Sequence, residues 1–455
     1  MSILGVSAFH HDSAAALLKN NQIVGASQEE RFSRKKYDKR WPQHTIQWLK
    51  HLSDDITTVA FYDKDNRQDS KQLIKRQFPK ADIVFVDHHE SHAMSSILMT
   101  DWDECAVMVV DTVGGKFSTS LGVYRNGKFT WLKRFRYPNS LGLFYSAATR
   151  FLGFRPLCDE SQVMAAAGFG KPIFSQLIED HFIEVTENSY RLKIDLERGI
   201  GVLGLEWNVA ASVQEVTEHI LVNLAKWLQK ETGLPNLAYS GGVALNCVAN
   251  TLIYKLAGYN NIAIQPAAGD AGCALGAAAL VERPIWTSPF LGYEDSFGYT
   301  VDQVAEKILD GHIVPHINGR AEFGPRALGN RSYLALPNKI NNVRLNNLKE
   351  RTEDSWRPWA PVCLENVAND YFNVYNKKYN QDMLFVSDTQ TKLWYQNNLQ
   401  NARLQVVSPK SNMFLSEILD ITTKNGYPIL INTSLNARGK PIVNSVFDYE
   451  KEIKK

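Results

Sequence analysis

Apolar and polar positions fall in short blocks along the first third of the chain, and the blocks predict strands joined by tight turns. Ile3 to Phe9 is an apolar run, His10 to Ser13 a polar turn, and Ala14 to Leu18 a second run. Asn20-Asn21 then turns the chain into a third strand, Gln22 to Ser27. The plan recurs further on. Ala106 to Asp111 predicts a strand, Thr112-Val113-Gly114-Gly115 a turn and Thr119 to Tyr124 a strand, and Asn126-Gly127 is a hairpin turn into Phe129 to Phe135.

Each of these openings is followed by helical sequence. Two strand–turn–strand–turn–strand openings are what a duplicated actin-like (ASKHA) ATPase core requires, with each half offering its first turn to a shared cleft. Two unrelated hairpins are the plainer alternative. The expected class is α/β for this part, with an α+β arrangement in the C-terminal part.

The segment Asp87-His88-His89-Glu90-Ser91-His92 closes the apolar run Ile83 to Val86 and opens a helix through Ala93 to Met99. His88 and His92 stand one helical turn apart on the same face, so two imidazoles can converge on a single ion. This is not the zinc-protease motif, because His89 stands where the Glu would follow the first His. Two imidazoles leave a metal under-coordinated, and Asp111, at the tip of the next apolar strand, can complete the site. Helix capping and surface histidines are the alternative reading.

Later motifs carry further chemistry. Tyr239-Ser240-Gly241-Gly242-Val243-Ala244-Leu245-Asn246 follows a short strand and precedes helical sequence, where paired glycines let a ligand approach the backbone. Ile262 to Gln265 predicts a strand, Pro266 to Gly272 a small-residue turn, and Cys273 to Val281 a helix. Asp270 is an acid among glycines and alanines there, as a ligand or as a helix cap. From Gly319 to Ser332 three arginines and a glutamate are packed among glycines, followed by Lys349, Arg351, Arg357-Pro358-Trp359 and Asn432 to Gly439. Arginine with little stem freedom suits planar recognition of phosphate or carboxylate. Asn376 to Asn401 is polar and reads as a surface insertion with little core.

Composition narrows the class of protein. A chain of 455 residues that is 44% hydrophobic is long enough for two domains with ample core. A net charge of +2 argues against nucleic acid or an acidic membrane surface as partner. The five cysteines are scattered without a C-x-x-C pair and read as reduced core thiols. The N-terminus carries no basic leader and no apolar run reaches the length of a membrane span, so a cytoplasmic protein is expected.

These motifs, in order, carry a resemblance. They are His11-Asp12-Ser13-Ala14-Ala15, Glu29 to Lys36, His88-x-x-x-His92, Asp159-Glu160-Ser161-Gln162-Val163-Met164, Ser240 to Asn246, Pro266 to Gly272, Gly324 to Gly329 and Asn432-Thr433-Ser434. The set resembles the O-carbamoyltransferases of the NodU/CmcH type, over residues 1 to 445. Its N-terminal part is similar to TsaD proteins and its C-terminal part to YrdC-like domains. The resemblance implies two domains: residues 1–335 for carbamoyl transfer, and 336–455, compact or shortened, for making carbamoyl adenylate. It implies that carbamoyl phosphate and ATP react to give the adenylate, whose carbamoyl group then passes to a hydroxyl of a small-molecule acceptor.

By the same resemblance His11 is the catalytic histidine and Lys36 contacts the carbamoyl or phosphate group. His88, His92, Asp111 and Asp270 hold a divalent metal, usually Fe(II), although the donor set is equally acceptable to Mn or Zn. Gly114, Gly115, Glu160, Gly242 and Asn246 line the adenylate cleft, and Lys349, Arg351 and Arg438 contact the phosphates of carbamoyl phosphate and ATP. The chain departs from the family where Ser161-Gln162 precedes Val163-Met164, a place where the family usually carries Lys. No nucleic-acid or membrane partner is implied, and a homodimer is compatible. The rival readings are a metal-dependent N-carbamoyl transferase and a non-catalytic actin-like nucleotide-binding protein.

Overall fold

The structure, a computed structural model, describes residues 1–63, 67–193, 206–351, 355–390 and 401–454. The chain divides into two compact units. One comprises Met1–Glu29 and Lys39–Thr287, the other Glu30–Asp38 and Ser288–Lys455.

The first unit holds two five-stranded sheets. The first contains β1 (Ser2–Ser7), β2 (Ala14–Lys19), β3 (Gln22–Gln28), β4 (Thr58–Phe61) and β5 (Asp82–Phe85), in the order β3-β2-β1-β4-β5. β1 pairs antiparallel with β2, and β2 with β3, whereas β1–β4 and β4–β5 are parallel. The turn between β2 and β3 works because Asn20 and Asn21 adopt φ of 51° and 62°, a region asparagine enters more readily than most residues.

The second sheet begins with β6 (Glu104–Gly114), β7 (Phe117–Arg125) and β8 (Lys128–Arg136), the last two joined through Asn126 and Gly127 with φ of 47° and 81°. A small hairpin, β9 (Ile183–Val185) with β10 (Tyr190–Leu192), intervenes before β11 (Asn236–Ser240) and β12 (Asn261–Ile264) complete the sheet. Its order is β12-β11-β6-β7-β8, again with two antiparallel pairs on one side of the first strand and two parallel pairs on the other. Order and sense therefore repeat between the sheets, which is the duplicated actin-like plan. One detail differs from expectation. β6 runs on to Gly114 through an irregularity after Val110, so the turn predicted over Thr112–Gly115 is shorter.

Two helices bring the sheets' strand ends together. Asp270–Val281 packs on β1 so closely that a Cβ on Gly5 would lie 1.9 Å from the Ala274 carbonyl oxygen. The same helix packs on His88–Ile97, where a Cβ on Gly276 would lie 1.8 Å from the Ser91 oxygen. Only glycine permits either approach.

The second unit is a mixed α+β layer. Its strands are β13 (Val314–Ile317), β14 (Arg331–Ala335), β15 (Ala360–Leu364), β16 (Phe372–Asn373), β17 (Ser387–Thr389), β18 (Asn401–Ala402), β19 (Gln405–Val407) and β20 (Ile429–Ser434). The main sheet runs β13-β14-β20-β15-β19, and β16, β17 and β18 form a small sheet of their own. Helices Val301–Leu309 and Met413–Lys424 contribute Val304, Ile308, Leu415 and Ile418 to one apolar cluster, while Trp359, Phe372 and Leu404 belong to another.

This sheet moves the boundary. The division expected at 335/336 falls instead at 287/288, because β14 pairs on one side with β13 and on the other with β20, and a cut after Ala335 would split that ladder. The expectation of a surface insertion at Asn376 to Asn401 also changes. Met383, Leu384, Phe385 and Val386 are buried, and β17 pairs with both β16 and β18. Residues 391–400 lie outside the described residues.

The segment Glu30–Asp38 is held into the second unit by charge. Arg34 forms a fork on Glu452 at 3.0 Å through Nε and Nη2, and donates to the carbonyls of Pro441 (2.9 Å) and Ile442 (2.8 Å). Arg31, fully buried, donates to the Gly324 carbonyl at 2.8 Å. Cys105, Cys247, Cys273 and Cys363 are buried free thiols, and Cys158 is half-buried. Among the described residues no helix is long and apolar enough to cross a membrane.

Candidate active site

The helix His88–Ile97 starts where Asp87 accepts hydrogen bonds from the backbone N–H groups of His89 and Glu90. That cap fixes the helical phase, so His88 and His92 share a face with ring centroids 4.8 Å apart. Asp111 reaches them from β6 and Asp270 from the first residue of its helix. His88 Nε2 lies 3.4 Å from Asp111 Oδ2 and 3.7 Å from Asp270 Oδ1. For His92 Nε2 the corresponding distances are 3.7 Å and 3.3 Å. Asp270 does not cap its helix, since the cap position is Gly269 and makes no side-chain bond.

Donors bonded tetrahedrally to one ion at about 2.0–2.1 Å stand roughly 3.4 Å from each other. The four imidazole–carboxylate separations, 3.3–3.7 Å, lie near that value. All four side chains are buried, and His88 Nδ1, His88 Nε2 and His92 Nε2 make no hydrogen bond. His92 Nδ1 donates to the Ala268 carbonyl at 3.2 Å, which turns the Nε2 lone pair inward. The donor set fits a divalent cation. Burial opposes charge here, yet Cys273, Asp111 and Asp270 outweigh it and hold the His92 pKa well above its ordinary value. Burial likewise works to raise Asp111, but His88 and His92 hold it well below the carboxylate range. Without a cation, protons on imidazole balance the charge.

Sequence reasoning missed Cys273. Ligand atoms of His88, His92, Asp270 and Cys273 all lie within 4.8 Å of one another. Its place one turn after Asp270 could not by itself distinguish it from core filling.

The first turn of the first sheet faces this cluster. His11 Nδ1 lies 3.2 Å from Asp12 Oδ2. Burial works to lower the His11 pKa, but Asp12, with smaller help from Cys158 and Asp270, raises it to about 11. His10, in the same turn, pairs with Asp63 at 3.4 Å and its ring lies 6.5 Å from that of His88. Its bond to Asp63 is the chief cause of its raised pKa, with burial opposing.

The residues assigned to an adenylate cleft have varied roles. Gly114 lies against the rings of His88 and His89, where an added Cβ would come within 2.6 Å. Gly115 lines an open surface pocket with Val113, Lys116, Arg136 and Tyr137. The Gly242 N–H donates to Asp111 Oδ1 at 3.1 Å, and the Gly241 N–H donates to the Ala268 carbonyl, so this turn braces both Asp111 and His92. Asn246 caps the following helix through Ala249 and exchanges hydrogen bonds with Gln214. Glu160 Oε1 accepts from Ser146 and from the Leu157 N–H. Asn246 and Glu160 are thus engaged within the protein.

In the second unit Lys349, Arg351 and Arg438 come to one end. Lys349 is buried, and its ammonium reaches the Ser434 carbonyl at 2.6 Å, Asn436 Oδ1 at 2.6 Å and the Asn436 carbonyl at 3.0 Å. Arg438 donates to the Glu350 carbonyl at 2.8 Å, and Arg351 stacks on Trp359 at 4.2 Å. Burial first, then the positive charges of Arg351, Arg357 and Lys36, push the Lys349 pKa well below its ordinary value. Lys36 belongs to this unit and His11 to the other.

Comparison with known proteins places these features in a family. Models of the carbamoyltransferase N-terminus match residues 2–75 and 60–279, and the model of the carbamoyltransferase C-terminus matches 305–454. The chain is 31% identical to nodulation protein NolNO of Sinorhizobium fredii, over 97% of this chain and 76% of that one. It is 30% identical to an uncharacterized protein of Synechocystis sp., over 97% and 92% of the two chains. With 3'-hydroxymethylcephem-O-carbamoyltransferase of Amycolatopsis lactamdurans it shares 24% identity over 96% and 94%. Both family models match in order across most of the length, so the chain belongs to the carbamoyltransferase family and is an enzyme of that class.

Proposed function

We propose that the protein is an O-carbamoyltransferase that makes carbamoyl adenylate from carbamoyl phosphate and ATP and passes the carbamoyl group to a hydroxyl of a small-molecule acceptor. The observation that carries this reading is the buried set His88, His92, Asp111 and Asp270, whose donor separations of 3.3–3.7 Å suit one divalent ion. Iron(II) is the ion we assign, with manganese and zinc accepted by the same donors. When bound, the ion supplies Lewis acidity toward a carbonyl.

The chain's own residues do the remainder. His11 exchanges the proton of the acceptor hydroxyl, with Asp12 on Nδ1 orienting the ring so that Nε2 is the reacting nitrogen. Lys36, Arg351 and Arg438 supply positive charge to transferring phosphates, and Lys349 fixes the loop that presents Arg438. The low net charge supports a small-molecule acceptor over nucleic acid.

Incubation with carbamoyl phosphate, ATP and iron(II) should release phosphate and pyrophosphate, and addition of a hydroxylated acceptor should release AMP and yield a carbamate ester. Pyrophosphate release that does not depend on carbamoyl phosphate would overturn the reading.

A further inference from the structure

Asp270 and Cys273 stand three residues apart on the helix Asp270–Val281, so both project toward one side. That side meets the helix bearing His88 and His92, and the contact at Gly276 holds the two backbones together. Cys273 is wholly buried, and its sulfur and the ligand atoms of His88, His92 and Asp270 lie within 4.8 Å of one another. Two donors on opposite sides of one ion are separated by at most the sum of their bonds, about 4.3–4.6 Å for nitrogen or oxygen with sulfur. The sulfur thus stands close enough to the three donors to share one ion with them after a small side-chain adjustment. The neighbours Ala271, Ala274 and Leu275 are buried apolar residues, and the polar group that the thiol meets is the imidazole of His92, to which it hydrogen-bonds.

We propose that Cys273 is a ligand of this metal, binding as a thiolate beside His88, His92, Asp111 and Asp270. The inference rests on the metal reading given above and deepens it. As the metal–sulfur bond forms, the S–H bond breaks and the proton leaves to solvent, with no change of oxidation state. One soft donor among harder ones favours iron(II), cobalt(II) or zinc over manganese or magnesium.

Cobalt(II) is the probe, because its visible bands report that it is bound and its near-ultraviolet sulfur-to-metal charge-transfer band reports a thiolate. The purified protein, Cys273→Ser and His92→Ala are stripped with chelator and titrated with cobalt(II) anaerobically. The native protein should show both features. Cys273→Ser should keep the visible bands and lose the near-ultraviolet band, and His92→Ala should weaken both. Visible bands without the near-ultraviolet band in the native protein would overturn thiolate ligation and leave the metal reading standing. A near-ultraviolet band that persists in Cys273→Ser, from another cysteine, would do the same. Absence of visible bands from the native protein would overturn the metal reading and this inference with it. If Cys273→Ser fails to fold, the native spectrum alone still decides, since it must contain the sulfur band.

Discussion

The backbone N–H of Gly242 donates to Asp111 Oδ1 at 3.1 Å, and this leaves Oδ2 of the same carboxylate facing His88 Nε2 at 3.4 Å. A glycine turn from one part of the sequence thus sets the rotation of a carboxylate on a strand far from it.

Gly242→Ala tests that coupling. The new Cβ would stand 3.2 Å from Asp111 Oδ1, close enough to turn the carboxylate while the fold persists. Loss of an orienting contact costs roughly 10–100-fold in metal affinity. Competition with a chelator measures it, and an unchanged affinity would show that Asp111 needs no such brace.

The two half-reactions separate at Arg438. Arg438→Ala should abolish pyrophosphate release from carbamoyl phosphate and ATP, because it removes a cation from the cluster around Lys349. Synthetic carbamoyl adenylate should then restore product. Failure of that rescue in a folded variant would place Arg438 in transfer rather than in adenylate formation.

His11 makes a statement about pH. A base acts unprotonated, and Asp12 raises the His11 pKa above its ordinary 6.5, so the transfer rate should still be climbing above neutrality. A rate profile that levels off below pH 7 would contradict the assignment. His11→Asn should slow transfer from preformed adenylate by about 10²–10⁴-fold and flatten this limb, while pyrophosphate release continues.

Arg34 holds the second unit together. Its fork on Glu452 and its bonds to the carbonyls of Pro441 and Ile442 are largely buried, each charged side chain being 14% exposed. Arg34→Ala leaves Glu452 without that partner and should cost about 3 kcal/mol, the lower end for breaking a buried pair. Denaturant unfolding measures it, and a loss below about 0.5 kcal/mol, as for an ordinary surface change, would class the pair as superficial.

Much of this was legible in sequence where the signal was local. Asn20-Asn21 and Asn126-Gly127 announced their hairpins because left-handed turns demand such residues, and His88 and His92 announced their convergence through helical spacing. Cys273 was not legible, because a cysteine in an alanine-rich helix is chemically indistinguishable from core filling until a second helix is packed on it. Nor was the unit boundary, which depends on β14 pairing with β20, a contact across about a hundred residues of chain. Lys349 illustrates a third kind of gap. Its residue type suggests phosphate, but only packing reveals that Ser434 and Asn436 already occupy its donors.

The capture of Glu30–Asp38 by the second unit has a consequence for biosynthesis. Arg34 leaves the ribosome well before its partner Glu452, which lies 418 residues behind it. Translation is slow beside the formation of helices and hairpins, so the stretch around Arg34 must wait for this partner until the segment bearing Glu452 has been made. A chain that lacks Glu452 leaves Arg34 with the carbonyls of Pro441 and Ile442 but without a carboxylate. Loss of Glu452 is therefore felt 418 residues earlier in the chain, at the segment that Arg34 anchors.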